Sequence, residues 1–147
     1  MIRRATAQDA EAVLHVHRES RRVAYAHLAP PELAVGPGTV ESWTAAIERS
    51  TTWVAEEDDQ VVGFASLEDG ALRGLYVLPA YAGRGIGATL HDLAVDAGAR
   101  SLWVYVDNPD ARAFYERRGW VGESDSAYVD QDWAVKEPAM RYRLDRP

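Results

Sequence analysis

Between residues 76 and 90 the chain reads Tyr-Val-Leu-Pro-Ala-Tyr-Ala-Gly-Arg-Gly-Ile-Gly-Ala-Thr-Leu. An apolar strand meets a proline, passes through a glycine-rich loop and enters an amphipathic helix. Without a Cβ at Gly83, Gly85 and Gly87 the chain can turn tightly, and an anion can come close to its N–H groups. A helix starting near Gly85 leaves its first amides without partners inside the helix, and its dipole favours negative charge there. The segment therefore requires a strand–loop–helix unit and predicts a bound phosphorylated cofactor.

The position of the loop narrows which cofactor. A dinucleotide-binding loop needs Gly-x-Gly-x-x-Gly in the first βαβ unit, with an acidic ribose ligand about 20 residues on. Here the glycine spacing differs, and the loop follows three strands that read as a meander. A nucleoside-triphosphate loop needs Gly-Lys-Ser/Thr, which is absent.

The meander is legible from its turns. Thr51–Glu56 and Val61–Glu68 read as strands around Glu57-Asp58-Asp59-Gln60, and Asp69-Gly70 is a hairpin signal before a strand at 71–78. Upstream, Ile2–Ala5 reads as a first strand. Thr6 and Asp9 sit in capping-box positions, and helical spacing continues over 7–27. Residues 28–38, with Pro30, Pro31, Gly36, Pro37 and Gly38, form a loop too short to join two domains. Thr39 caps a second helix over 40–49. After the glycine loop come a helix at 85–98, a strand at 101–106, a helix at 109–118 begun by Pro109, and strands near 120–128 and 137–145.

The order β-α-α-β-β-β-α-β-α-β-β implies an α/β (α+β) fold, with one mixed sheet and helices on both faces. Strands 71–78 and 101–106 should be parallel neighbours joined by a right-handed crossover.

Composition limits the partners. The 147 residues suit one domain spanning 1–147. With 16 Lys and Arg against 23 Asp and Glu, the formal charge is −7, which argues against nucleic acid and leans towards a cationic or neutral substrate. The absence of cysteine excludes disulfides, thiolate metal sites and a cysteine nucleophile. No apolar run reaches the ~20 residues of a membrane span, so a cytoplasmic location is expected.

Residues 104–120 add a second pattern, Val-Tyr-Val-Asp-Asn-Pro-Asp-Ala-Arg-Ala-Phe-Tyr-Glu-Arg-Arg-Gly-Trp. With this segment the chain resembles the GNAT acetyltransferase superfamily. The family's loop, Gln/Arg-x-x-Gly-x-Gly/Ala, aligns with Ala82-Gly83-Arg84-Gly85-Ile86-Gly87. Its later signature aligns with Asn108, Ala111, Phe114-Tyr115 and Gly119-Trp120. The element order also matches, so the resemblance covers nearly the whole chain and implies a GNAT-like, mostly antiparallel sheet of six to seven strands. Two departures stand out: Ala82 replaces the usual Gln or Arg, and Trp120 replaces Phe as a conservative aromatic change.

The resemblance implies acetyl-CoA as donor and direct transfer to an amine. The cofactor contacts it implies are Leu75, Tyr76 and Val77 on the strand, Ala82, Gly83, Arg84, Gly85, Ile86, Gly87 and Ala88 on the loop and helix start, and Asn108, Ala111 and Tyr115. Backbone amides of 83–88 would hold the pyrophosphate, with charge added by Arg84, and the Ala82 amide belongs to the same set. Strand groups would pair with the pantetheine amides. The Val77 N–H is the candidate donor to the thioester carbonyl. Tyr115 is the candidate general acid, since a phenol of pKa about 10 stays protonated at neutral pH. Arg112, Arg117 and Arg118 are candidates for the 3′-phosphate, or else a solvent face.

The acceptor side is less defined. Glu68 is a tentative base, against the plainer reading of a solvated carboxylate beside the hairpin. His15, His17 and His27 read as ordinary helix residues and do not make a metal site. Tyr25, Tyr128 and Trp133, with nearby Asp and Glu, suit a protonated amine through cation–π contact and charge. The leading expectation is a small-molecule amine acceptor. The alternatives are a peptide or protein N-terminal acetyltransferase and a non-catalytic acyl-CoA-binding module. A homodimer through the last strands is also expected from the resemblance.

Overall fold

The computed structural model of the chain describes residues 1–30, 32, 38–132 and 135–146. The described elements are β1 (Ile2–Arg4), a 3-10 turn (Ala7–Asp9), α1 (Ala10–Ala24), α2 (Val40–Arg49), β2 (Thr51–Glu57), β3 (Gln60–Glu68) and β4 (Ala71–Val77). A second 3-10 turn (Pro79–Tyr81) leads to α3 (Ile86–Asp96), β5 (Ser101–Tyr105), α4 (Pro109–Glu116), β6 (Val121–Tyr128) and β7 (Ala139–Arg143). The order of elements is the expected one.

The seven strands form one sheet in the order β1-β2-β3-β4-β5-β7-β6. Only β4 and β5 are parallel. Left-handed residues close both hairpins of the meander: Asp58 and Asp59 have φ of 52° and 60°, and Asp69 and Gly70 have φ of 51° and 77°. Two left-handed residues in succession match the twist of antiparallel strands.

Alternation along β2 and β3 divides the core into two layers. Val54 and Phe64 pack with Val13 and Val16 of α1 and Ile47 of α2. Trp53, Ala65 and Leu67 pack with Ile86, Leu90 and Ala94 of α3 and with Tyr115 of α4. The sheet is thus covered on both faces.

The first helix is shorter than its sequence pattern. Arg3 donates to both carboxylate oxygens of Asp9, at 2.9 and 2.8 Å, and the Thr6 N–H adds a bond of 2.8 Å. These bonds hold residues 7–9 in a tight 3-10 turn. At the other end Tyr25 leaves the helix and sets its ring edge-on to Tyr105, 5.0 Å between centroids. Thr39 caps α2 as expected, accepting from the Ser42 N–H at 3.0 Å.

Candidate active site

β4 and β5 share a single registered pair, Ala71 with Ser101. All five residues of β5 pair with β7 on its other edge. Beyond Ser101, therefore, β5 follows β7 and diverges from β4. The gap is a cleft of about 400 Å³ whose lining includes Leu75, Tyr76, Val77, Asn108, Ala111 and Tyr115.

The backbone of β4 is open towards this cleft. Val77 faces Gly63 in the β3 register, and Leu78 donates back to Val62 C=O at 2.8 Å. Backbone groups in a strand alternate in direction, so the amides of Leu75 and Val77 face away from β3 and towards the gap. Ser20 of α1 donates its hydroxyl to Val77 C=O at 3.2 Å. β4 also carries a bulge: Ser66 pairs with Gly74 and Leu67 with Leu72, leaving Arg73 as the extra residue.

Val77 also lines a second cavity of about 440 Å³, bounded by Ala82, Gly83, Gly85 to Ala88, Phe114, Arg117 and Arg118. Gly83 and Gly85 have φ of 80° and 85°, and Gly85 is the N-cap of α3. The first α3 amide with an acceptor within the helix unit is Thr89, bonded to Gly85 C=O at 3.1 Å. The amides of Ile86, Gly87 and Ala88 therefore emerge at the helix start beside the cavity. That donor set suits a pyrophosphate, and the adjoining open strand edge suits an amide-bearing arm. Both fit coenzyme A.

Two loop residues are placed differently from the rest. The Ala82 N–H donates to Pro79 C=O at 3.2 Å, closing the 3-10 turn, so this amide is already engaged. Arg84 points to Glu57 at 3.4 Å and lies over the ring of Tyr81, which lines the cavity, while Arg84 itself is not part of the lining. The positive charge beside the loop comes instead from Arg117 and Arg118. Arg112 bonds to the Tyr142 hydroxyl and Val106 C=O, at 3.0 Å each.

Tyr115 closes the floor of the cleft. Its ring packs against Phe114 and Trp120, and among the described residues its hydroxyl has no hydrogen-bond partner. Burial, with Tyr76 nearby, pushes its pKa well above that of an ordinary phenol. Asn108 caps α4, its Oδ1 accepting from the Ala111 N–H at 3.2 Å, while also lining the cleft.

On the acceptor side, Tyr25 lines the cleft and Arg21 stacks on its ring at 4.6 Å. Arg21 also donates to the Tyr76 hydroxyl at 3.3 Å. Tyr128 packs edge-on to Trp103, and of these two only Trp103 reaches the cleft. Trp133 lies outside the described residues, as do Pro31, Gly36 and Pro37 of the proline loop. Glu68 is not on the cleft wall. It pairs with Arg49 at 3.3 Å and lines a smaller cavity of about 280 Å³ beneath α2, which shares Arg73 and Gly74 with the cleft.

Among the described residues no group of three or more acidic or histidine side chains is placed to hold a metal. His17 lies instead among the rings of Trp43, Phe64 and Tyr76. Sequence patterns had not singled out Ser20, Arg21, Arg73 or His91. Their positions depend on a bulge and on contacts distant in sequence, which periodicity does not register. Among the described residues no helix is long and apolar enough to cross a membrane.

Comparison with known proteins agrees with this geometry. The model of the acetyltransferase (GNAT) family matches residues 10–120. An "uncharacterized N-acetyltransferase" of Archaeoglobus fulgidus is 29% identical, over 78% of this chain and 88% of its own length. A GCN5-related N-acetyltransferase structure from Rhodopseudomonas palustris superposes with a TM-score of 0.77 at 27% identity, covering 98% of this chain and 95% of that one. The PaiA N-acetyltransferase of Thermoplasma acidophilum, solved with coenzyme A, has a TM-score of 0.74 at 22% identity over 98% of both chains. The ribosomal-protein-S18-alanine N-acetyltransferase of Escherichia coli shares the fold with a TM-score of 0.69 at 20% identity, over 98% of this chain and 92% of its own.

Proposed function

The chain belongs to the GNAT acetyltransferase family, and on that premise we propose that it moves an acetyl group from acetyl-CoA to a primary amine of a small molecule by direct attack. The family makes it an acyltransferase that uses acetyl-CoA. The observation that carries the finer reading is one cleft lined by both Val77 and Tyr115, with the Val77 amide facing away from β3.

Acetyl-CoA supplies an activated acyl carbonyl and a thiolate leaving group. Amides of Gly83 and Gly85 to Ala88 hold its pyrophosphate, helped by Arg117 and Arg118. Asn108 and Ala111 line the path of the arm, and the Leu75 and Val77 backbone pairs with it as an added strand would. The Val77 N–H would donate to the carbonyl oxygen, where a fixed donor stabilises developing negative charge. The Tyr115 proton stays on its oxygen at neutral pH and passes to the departing sulfur.

The amine arrives from the α1 side, past Tyr25 and Ser20. Glu68, across the smaller cavity, is the base in this reading and receives the amine's proton through water. The outer strand β6, with Val121 and Tyr128 exposed, is the surface through which a homodimer would form.

Release of free CoA thiol should rise when acetyl-CoA is presented with a panel of small amines and polyamines, and calorimetry should detect acetyl-CoA binding. Stimulation by peptides alone would redirect the reading to a protein acetyltransferase. Binding without any stimulation would point to a regulatory module.

A further inference from the structure

We propose that the acceptor carries an anionic group, a carboxylate or a phosphate, close to its amine, and that Arg73 recognises it. The inference rests on the transferase reading above.

Arg73 is the bulge residue of β4, without a register partner on β3. A bulge inserts one residue and re-aims its side chain relative to the regular ladder. Here that residue is exposed and lines both the β4–β5 cleft and the smaller cavity beneath α2. Among the described residues its guanidinium has no hydrogen bond and no ion pair. Other arginines of this acidic chain have found carboxylates: Arg3, Arg22, Arg49, Arg84 and Arg143 all pair with Asp or Glu.

The local charge balance points the same way. The smaller cavity holds Arg49, Arg73 and Glu68. Arg49 and Glu68 meet at 3.3 Å and offset each other, so the charge of Arg73 is left uncompensated. A region of net positive charge in a chain of formal charge −7 calls for an anion from outside. The guanidinium fork matches carboxylate and phosphate oxygens equally well.

The spacing fits a compact acceptor. Arg73 and Val77 lie four positions apart on one strand, roughly 13 Å when extended. An arginine side chain and a molecule the size of an amino acid cover that span together, with the amine towards Val77 and the anion towards Arg73.

The test uses matched acceptors with the full-length protein and acetyl-CoA. Amino acids are compared with their decarboxylated amines, and phosphorylated amino alcohols with the parent alcohols. The wild type should favour the anionic member of at least one pair by about tenfold or more in kcat/KM, the size of a charge-assisted contact. Which pair responds distinguishes carboxylate from phosphate. Arg73→Gln should abolish that ratio and Arg73→Lys should restore part of it; a ratio does not depend on the folded fraction. Titrating the same acceptors into the CoA-loaded protein should show Kd for the anionic member rising by a similar factor in Arg73→Gln. A wild-type ratio at or below one, or a ratio unmoved in Arg73→Gln, overturns the proposal. Acetylation of plain amines alone overturns only this inference, whereas no transfer to any amine overturns the transferase reading with it.

Discussion

The indole Nε1 of Trp120 donates to Nε2 of His91 over 2.9 Å inside the core layer beneath Tyr115. An indole N–H can only donate, so Nε2 is the acceptor and the imidazole proton lies on Nδ1, 2.9 Å from Asp92 Oδ1. Trp120 is therefore more than an aromatic stand-in for Phe: its extra ring brings a polar atom, and His91 satisfies it. Trp120→Phe should lower unfolding free energy by about 1–3 kcal/mol, because it strands a buried acceptor. Urea titration measures this, and a loss below about 0.5 kcal/mol would show the bond to be incidental.

Removing the Tyr115 hydroxyl breaks no hydrogen bond among the described residues. Tyr115→Phe should therefore leave stability and acetyl-CoA affinity close to wild type. Turnover should fall by roughly 10²-fold or more, mostly in kcat, as expected for loss of a general acid. Full retention of kcat would make Tyr115 a packing residue.

Two of the loop glycines, Gly87 and Gly85, should respond differently to a methyl group. A Cβ at Gly87 would meet only Val77 and Phe114 at 3.8 and 3.9 Å, so the protein itself has room for it. Gly87→Ala should keep or raise the melting temperature, since alanine is the better helix former by about 1 kcal/mol. It should still weaken acetyl-CoA binding, because both neighbours line the loop cavity. Gly85→Ala should lose stability as well, because φ of 85° strains an L-residue. Calorimetry and thermal melts on both variants separate the two effects. Equal acetyl-CoA affinity in Gly87→Ala and wild type would remove this loop face from the binding site.

His17 gives stability a pH dependence. Burial pulls its pKa down from 6.5 to about 3, with Arg21 and Arg18 adding to the effect. Its Nδ1 is buried without a hydrogen-bond partner among the described residues. The folded pKa lies below the unfolded one, so the unfolded chain takes up the proton first. The neutral ring's contribution is complete above about pH 6.5 and declines as pH falls towards 3, by on the order of a few kcal/mol. His17→Leu should flatten that part of the stability curve. Parallel acid slopes in the two proteins would mean His17 titrates normally.

Much of this fold was legible in local signals. Asp69-Gly70 marked a hairpin, Thr39 a helix cap, and the glycine loop a helix start, because each depends on backbone preferences of a few adjacent residues. The pairing of Asn108–Trp120 with the loop identified the family for a related reason: both motifs are contiguous in sequence. The harder positions depended on distant partners. Ala82 looked like a free amide until the 3-10 turn engaged it with Pro79. That Glu68, at the end of a central strand, sits in the cavity adjoining the cleft depends on its ion pair with Arg49 of α2.

By itself the sequence determined the element order, both hairpins, the helix start at the glycine loop and the family, all through short-range conformational preference and contiguous motifs. Tertiary structure decided where the site opens and what faces it. Ser101 pairs with both Ala71 and Arg143, and only the competition between β4 and β7 for β5 makes the sheet part beyond that point. The Arg73 bulge, the Tyr115 floor and the His91–Trp120 bond have the same origin: each requires chain segments far apart in sequence to meet, and no local pattern encodes that meeting.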